Sequence, residues 1–294
     1  MMAKELMGII PPMVTPITKE QEVDYKSIRN LTNWLIEHGV HGILTLGGAG
    51  EIQMFTESER NNIAKTVIDE ANGRVPILVG TSHYSTNAAI KMSKDAKDLG
   101  ADGLVLIEPW GARERPTDTY EYYKRVNDAV DCTLCLYTHF MSVDAIKKCA
   151  GLSNLKYVKE GNTSMHHFLQ LVNELGKNRV FAGSTQMMFR QMLHGLQGAV
   201  LGQTQIWPEA AVEMFDTIRA GNIEKARRLY YEKHLALVEA CSLGGWHAQA
   251  IKAALKARGV IENDIVRGPT QQMDEVSKKE LLLWLESKGL TGKK

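Results

Sequence analysis

The stretch "LKYVKEG", residues 155–161, has the form of a short buried strand that ends in a turn. It lacks the clean alternation of a strand with one face in water, so it is typical of a parallel strand buried on both faces. Seven further runs of this kind, bounded by Gly, Pro or Asp, are "GIIPPMVTPI" (8–17), "GVHGILTLG" (39–47), "VPILVGT" (75–81), "DGLVLIEP" (102–109), "CTLCLYT" (132–138), "RVFAGST" (179–185) and "GAVLGQT" (198–204). The sequence therefore predicts eight parallel strands.

Amphipathic helical patterns lie between these strands. The first helix is predicted to begin after Asp24, a good N-cap, and to end at Gly39, a good C′ residue. The second opens with Thr56 and has Glu59 three residues on, which is a capping box. Eight strand–helix units in succession predict an α/β fold, a (β/α)₈ TIM barrel.

The helical pattern continues beyond what closure of a barrel requires. After the eighth strand it covers residues 208–219, 222–240, 246–258 and 277–288. We therefore expect a barrel at residues 1–221 and a helical extension at residues 222–294 that packs on it.

Composition narrows the class of protein. The 294 residues are 44% hydrophobic and 23% charged, with a formal net charge of +1, so a sizeable core is possible and nothing points to nucleic acid as a partner. No apolar run is long enough to span a membrane, and the start "MMAKELMGII" does not resemble a signal peptide.

Cys132 and Cys135 form a C-x-x-C, but no second such pair and no flanking histidine pair accompanies them. We interpret them as core cysteines of a reduced, cytoplasmic protein. The nine histidines are scattered, so neither a metal nor another cofactor is expected.

In a TIM barrel the functional groups stand where the strands end, which places Lys159 and Tyr137 together. Burial would lower the pKa of Lys159 and leave a neutral amine that can attack a keto group and form a Schiff base. A phenol such as Tyr137 can relay protons in that chemistry. The alternatives are a solvated lysine whose stem covers apolar surface and a packed tyrosine.

The loop "GGAGE", residues 47–51, follows the second strand. Its three glycines allow backbone N–H groups to point at an anion, and it lacks both common phosphate-binding patterns. A carboxylate is the natural guest, and a plain tight turn is the alternative.

These features together resemble the dihydrodipicolinate synthase / N-acetylneuraminate lyase family of Schiff-base-forming barrel enzymes. The resemblance rests on "TP" (15–16), G-x-x-G-E (47–51), Tyr137 and Lys159, and "IKAALKARG" (251–259) resembles the family's late lysine-containing helix. It implies that Lys159 forms the Schiff base and that Tyr137 moves protons. It also implies that the backbone amides of Gly48 and Ala49 hold the carboxylate of a 2-keto acid, and that the protein is a homotetramer.

The sequence departs from the synthase in three places. Gly48 and Ala49 stand where a threonine or serine hydroxyl would join the proton relay, Gly111 replaces a relay tyrosine, and "YTHFMSVD" (137–144) lacks an arginine that would bind a second carboxylate. These losses argue against dihydrodipicolinate synthesis.

Polar groups near the strand ends suit a hydroxylated substrate instead. "TSHYST" (81–86) resembles a stretch of the family's 2-keto-3-deoxy sugar-acid dehydratases, and His83 or His139 is a possible acid for a leaving hydroxyl, with a structural histidine as the alternative. Further predicted substrate contacts are Thr15, Trp110, Ser184, Thr185 and Gln203, with Arg113, Arg115, Phe140, Gln205, Trp207 and Trp246 nearby.

We therefore predict a lyase acting on a 2-keto-3-deoxy sugar acid or similar 2-keto acid, as a pyruvate-releasing aldolase. A dehydratase of the same family is the alternative. A 4-hydroxy-tetrahydrodipicolinate synthase and a non-catalytic small-molecule-binding barrel are further alternatives.

Overall fold

The computed structural model describes residues 5–109, 116–242 and 247–292. Its strands are β1 (Gly8–Ile9), β2 (Ile43–Thr45), β3 (Ile77–Gly80), β4 (Gly103–Ile107), β5 (Leu134–Thr138), β6 (Leu155–Glu160), β7 (Val180–Ala182) and β8 (Gly198–Ala199). The helices that alternate with them are α1 (Tyr25–Glu37), α2 (Glu57–Ala71), α3 (Thr86–Asp98), α4 (Pro116–Ala129), α5 (Val143–Ala150), α6 (Met165–Leu175), α7 (Met188–Met192) and α8 (Pro208–Arg219).

The strands form one parallel sheet in the order β1-β8-β7-β6-β5-β4-β3-β2. The remaining gap, between β1 and β2, is closed by a parallel bridge from Pro12 to Leu44, whose N–H donates to the Pro11 carbonyl at 3.0 Å. The predicted (β/α)₈ barrel is confirmed. The predicted first strand, 8–17, is too long, because Pro11 and Pro12 lack the N–H groups that a strand ladder requires.

Local signals set the helix starts as predicted. The Asp24 carboxylate accepts the Ser27 N–H at 2.9 Å and caps α1, and Thr56 and Glu59 form the reciprocal capping box of α2. Each cap satisfies backbone donors that have no partner inside the helix.

Two apolar cores lie on opposite faces of the sheet. The outer core packs the sheet against the helices and includes Cys149. The barrel interior is filled by Leu6, Ile10, Leu44, Leu78, Val105, Cys135, Phe181 and Val200, with Tyr137 and Tyr157 packed against them. Cys135 is therefore a core residue, as predicted, whereas Cys132 is only half-buried.

The C-terminal helices are α9 (Ile223–Leu229), α10 (Ala236–Ser242), α11 (His247–Ala257) and α12 (Glu275–Ser287). The predicted helical stretch 222–240 is helical from Ile223 to Ser242 without a gap, but its middle, Tyr230–Leu235, is π-helical rather than α-helical. Helix α11 packs against the 3₁₀ turn Gly202–Gln205 that follows β8, so the extension reaches the rim where the strands end. No helix among the described residues is long and apolar enough to span a membrane.

Candidate active site

Lys159 and Tyr137 are neighbours across two strands. Their Cα atoms are partners in the β5–β6 register. Cys135 and Tyr157, two residues earlier on each strand, pack in the barrel interior, so strand alternation turns Lys159 and Tyr137 inward as well. The Lys159 Nζ lies 3.7 Å from the centroid of the Tyr137 ring.

The amine of Lys159 is held where its charge is costly. The side chain is 6% exposed, and in the described part of the chain no carboxylate forms an ion pair with it. Burial lowers the pKa of Lys159 to about 8. Near neutral pH a far larger fraction of this amine is therefore neutral and nucleophilic than at the ordinary pKa of a lysine.

Gly183 at the end of β7 allows the lysine stem to pass. A Cβ at this position would lie 2.8 Å from Lys159 Cγ and 2.7 Å from the Glu160 carbonyl oxygen. The close approach of β6 to the chain at Gly183 therefore requires a residue without a Cβ at that position.

The Tyr137 phenol is held by His139, two residues later on the same side of the chain. The Tyr137 oxygen lies 2.5 Å from His139 Nε2, and His139 Nδ1 lies 3.1 Å from the Gly161 carbonyl oxygen. A carbonyl only accepts, so Nδ1 carries the proton of the neutral ring and Nε2 accepts from the phenol. This fixes both the tautomer of His139 and the direction of the Tyr137 hydrogen bond.

Two buried carboxylates, Glu108 and Glu160, stand beside this pair. Burial raises the pKa of Glu160 to about 7, with the Glu108 carboxylate adding to the rise against a hydrogen bond from the Asn162 N–H. Burial and both carboxylates raise the pKa of Tyr137 well above its ordinary value. The phenol therefore stays protonated, and a lasting phenolate is costly.

The loop at residues 47–51 is anchored from two sides. Thr15 Oγ1 donates to the Gly50 carbonyl at 2.8 Å. Glu51 has a left-handed backbone, φ 55°, and its buried carboxylate pairs with the Nζ of Lys252 on α11 and accepts the Arg267 N–H at 2.8 Å. Lys252 is 0% exposed; burial lowers its pKa and the Glu51 carboxylate opposes that shift.

A cavity of about 510 Å³ opens above the lysine. Its lining includes Gly48, Ala49, Tyr137, His139, Lys159, Thr185 and Gln203 among the predicted residues, together with Pro12, Gln53, Ile107, Phe140, Gly183, Val200, Leu201 and Gly202. Thr185 Oγ1 donates to Gln203 Oε1 at 2.9 Å. In the described chain no backbone bond uses the N–H of Gly48 or Ala49, so both amides are available to a ligand.

Other predicted residues lie elsewhere. Thr15 supports the loop from below, and Ser184 is buried outside the lining. His83 lines a smaller pocket with Ser82, Tyr84, Glu108 and Pro109, and its Nδ1 accepts the Ser85 N–H at 2.9 Å. The Gln205 amide bonds to backbone groups of Pro12, Val14 and Gly202. Trp110, Gly111, Arg113, Arg115 and Trp246 lie outside the described residues.

Comparison with known proteins agrees with this geometry. The sequence profile of the "Dihydrodipicolinate synthetase family" matches residues 5–288. The chain belongs to that family. It is 30% identical over 281 residues to a 4-hydroxy-tetrahydrodipicolinate synthase of Trichlorobacter lovleyi, covering 93% of this chain and 96% of the relative.

Further members of the dihydrodipicolinate synthetase family match over nearly their whole lengths. An uncharacterised DapA-like lyase of Halobacterium salinarum is 28% identical over 97% of this chain and 95% of its own. The E. coli K12 prophage protein YagE, solved in complex with pyruvate, superimposes with a TM-score of 0.89 at 27% identity, covering 97% of this chain and 99% of its own. The chain is thus a DapA-type member of a family of lyases.

Sequence reasoning missed several groups at this family member's site. The predicted site did not include Glu108, Glu160 or Gln53. Glu108 directly follows β4 and Glu160 ends β6, so the rule that functional groups stand at strand ends applies to both. The bond between Lys252 and Glu51 joins residues 201 positions apart, and nothing local in the sequence pairs them. Within the described residues, no group of three or more His, Cys, Asp or Glu side chains is arranged to hold a metal ion.

Proposed function

We propose that this protein is a Schiff-base lyase that cleaves a 2-keto-3-deoxy sugar acid, or a similar 2-keto acid, to pyruvate and an aldehyde. One observation carries the proposal: a buried amine with a lowered pKa, Lys159, stands 3.7 Å from the Tyr137 ring at the floor of a cavity. A neutral amine is the form that adds to a ketone, and the protonated imine then accepts the electrons of the breaking bond.

Different groups of the cavity lining would bind different parts of the substrate. The N–H groups of Gly48 and Ala49 would bind the carboxylate next to the keto group, as backbone amides bind anions elsewhere. The same lining includes hydrogen-bonding groups of Thr185, Gln203 and Gln53, which suit hydroxyl groups of a sugar-acid tail. The described lining contains no arginine, and its one lysine, Lys159, is consumed in the imine, so it provides no further lysine or arginine to bind a second carboxylate.

That lining favours the aldolase over its alternatives. Synthase chemistry requires a site for a distal carboxylate, and the described lining offers no arginine. The dehydratase interpretation named His83 or His139 as the acid. His139 lines this cavity, but its Nδ1–H donates to the Gly161 carbonyl and its Nε2 accepts from Tyr137, so the neutral ring has no proton to give a leaving hydroxyl. His83 lines the smaller neighbouring pocket. A non-catalytic barrel gives no reason to bury an amine, and so lower its pKa, beside a phenol in a cavity.

Trapping the imine tests the proposal. Incubation with pyruvate and borohydride should give a reduced adduct, detected by mass and mapped to Lys159 by peptide digestion. The adduct should be absent from Lys159→Ala and present in Lys156→Ala, because Lys156 is an exposed lysine of the same strand. A wild-type protein that forms no adduct with any 2-keto acid would contradict the proposal. Released pyruvate from a 2-keto-3-deoxy acid identifies the aldolase, whereas loss of water from an intact skeleton identifies the dehydratase.

The rate of imine formation should depend on pH in a defined way. Because the neutral amine is the nucleophile and the pKa of Lys159 is about 8, the trapping rate should rise with pH and level off above about 8. The rate of adduct formation, measured at intervals between pH 6 and pH 10 with cyanoborohydride as the reductant, would show the plateau. A rate that keeps rising past pH 9.5 would indicate a lysine with an ordinary pKa.

A further inference from the structure

We propose that His139 is the proton partner of Tyr137, taking the phenol's proton at Nε2 each time the phenol accepts one from the substrate. The inference rests on the proposed function. His139 acts through Tyr137 and is a positioning residue with a proton-accepting nitrogen, rather than a group placed to attack the substrate.

The hydrogen bonds define the direction of proton flow. His139 Nδ1–H donates to the Gly161 carbonyl, so Nε2 presents its lone pair to the Tyr137 O–H at 2.5 Å. In the described part of the chain the Tyr137 oxygen has no other hydrogen-bond partner. The other hydroxyl of the described cavity lining, on Thr185, is engaged with Gln203.

The backbone around His139 is built to hold the ring in this place. A Cβ on Gly161 would lie 2.6 Å from both Cε1 and Nδ1 of His139. The His139 N–H donates to Glu108 Oε1 at 3.3 Å, and the His139 carbonyl accepts from the Asn162 side chain at 3.2 Å. Only glycine at position 161 leaves room for the imidazole to reach the Gly161 carbonyl and the phenol together.

The charges of the surrounding groups favour a protonated His139 imidazole over a negatively charged Tyr137 phenolate. Among the described residues, the charged or titratable groups beside the pair are Glu108 directly after β4, Glu160 at the end of β6, the Lys159 amine and the Cys135 thiol. The two carboxyl groups, where ionised, oppose a phenolate and stabilise an imidazolium. The Lys159 nitrogen loses its positive charge as the enamine forms, so it does not oppose an imidazolium in that step. A phenol that accepts one proton must therefore give up its own at the same time, and Nε2 is the acceptor within reach.

The proposed step balances. In the imine of the substrate with Lys159, the C3–C4 bond breaks and its electron pair moves toward the iminium nitrogen, giving an enamine and an aldehyde. The proton of the C4 hydroxyl passes to the Tyr137 oxygen as the phenol proton passes to His139 Nε2. The return of that proton through Tyr137 to C3 gives the pyruvate imine, which water hydrolyses to release pyruvate and the Lys159 amine.

Exchange of the pyruvate methyl protons with D₂O isolates this proton transfer from substrate recognition. Wild-type protein should exchange them, followed by NMR, through the reversible enamine. His139→Ala and His139→Gln should each slow the exchange by about 10²- to 10³-fold, while borohydride still traps pyruvate on Lys159. Added imidazole should restore exchange in His139→Ala and have no such effect in Tyr137→Phe. His166→Ala, which removes an exposed histidine on α6, should exchange at the wild-type rate.

The outcomes separate the two proposals. A wild-type protein without a pyruvate adduct would contradict the proposed function itself. A wild-type adduct with normal exchange in His139→Ala, or normal exchange in His139→Gln, would overturn the role of His139 alone, since glutamine keeps hydrogen bonds but cannot carry the proton. Slow exchange in both variants with rescue by imidazole supports it.

Discussion

Replacement of Lys159 by methionine should lower kcat/KM by at least about 10⁴-fold, because it removes the nucleophile on which the proposed reaction depends. The same replacement should make the folded protein more stable at pH 7. Methionine fills nearly the same space and carries no charge to desolvate, whereas the lysine must be buried among Cys135, Tyr137 and Tyr157.

The sign and the pH window follow from the pKa of Lys159. Burial lowers that pKa from 10.5 to about 8 in the folded state, which corresponds to about 3 kcal/mol of destabilisation. The cost is fully present below pH 8, where both states carry the proton. It falls between pH 8 and 10.5, where only the unfolded chain still binds that proton, and it is gone above 10.5. Lys159→Met should therefore gain about 1–3 kcal/mol at pH 7 and less than about 1 kcal/mol by pH 10.

Urea denaturation of both proteins at pH 7 and pH 10 measures the difference. Lys156→Met is the matched control, since Lys156 is exposed on the same strand. It should leave activity unchanged and alter the free energy of unfolding by no more than about 0.5 kcal/mol. A Lys159→Met protein that keeps wild-type turnover, or is clearly less stable at pH 7, would rule out a buried catalytic amine.

Loss of either partner of the Lys252–Glu51 pair should destabilise the protein by about 3–5 kcal/mol, because the other charge would remain buried without its partner. Lys252→Met and Glu51→Gln should also raise the KM for the keto acid. Both remove the contact that holds the left-handed backbone at Glu51, two residues beyond Ala49. Together, Lys252→Met and Glu51→Gln should cost much less than the sum of the two single changes.

Thermal or urea unfolding of the two single variants and the double variant gives the coupling energy. Lys256→Met on the same helix is the control: Lys256 is paired with Asp264 at 2.9 Å but its side chain is 45% exposed, so its removal should cost less than about 1 kcal/mol. Additive losses in the double variant would show that Lys252 and Glu51 act independently.

The parts of the molecule that sequence reasoning predicted are those governed by local patterns. Strand runs, the Asp24 cap and the Thr56–Glu59 capping box set the barrel, and strand ends set Lys159 beside Tyr137. The sequence identified His139 as a candidate but not its hydrogen bond to the Gly161 carbonyl. That carbonyl fixes the tautomer of His139 and follows a different strand, β6.

Tertiary packing determines the features of the site and of the C-terminal helices that local sequence patterns do not predict. His83 follows β3 and Lys159 lies near the end of β6 on the same rim, yet His83 lines a smaller pocket beside the cavity that Lys159 lines. The π-helical segment between α9 and α10 changes the winding of a helix that the sequence pattern predicts as regular. Lys252 looks like any lysine of an amphipathic helix until the fold places it against Glu51.

The Lys252–Glu51 bond also sets an order of events during synthesis of the chain. All eight strands, with Lys159 and Tyr137, are complete by residue 199, but the cation that neutralises Glu51 comes from α11, which starts at residue 247. Until that helix leaves the ribosome and docks, the barrel contains its reactive amine beside a loop with an unneutralised acid. On the proposed function, we therefore expect affinity for the keto acid to be acquired last, after the nucleophile is in place. A chain interrupted before α11 should retain Lys159 and Tyr137 but bind the keto acid weakly.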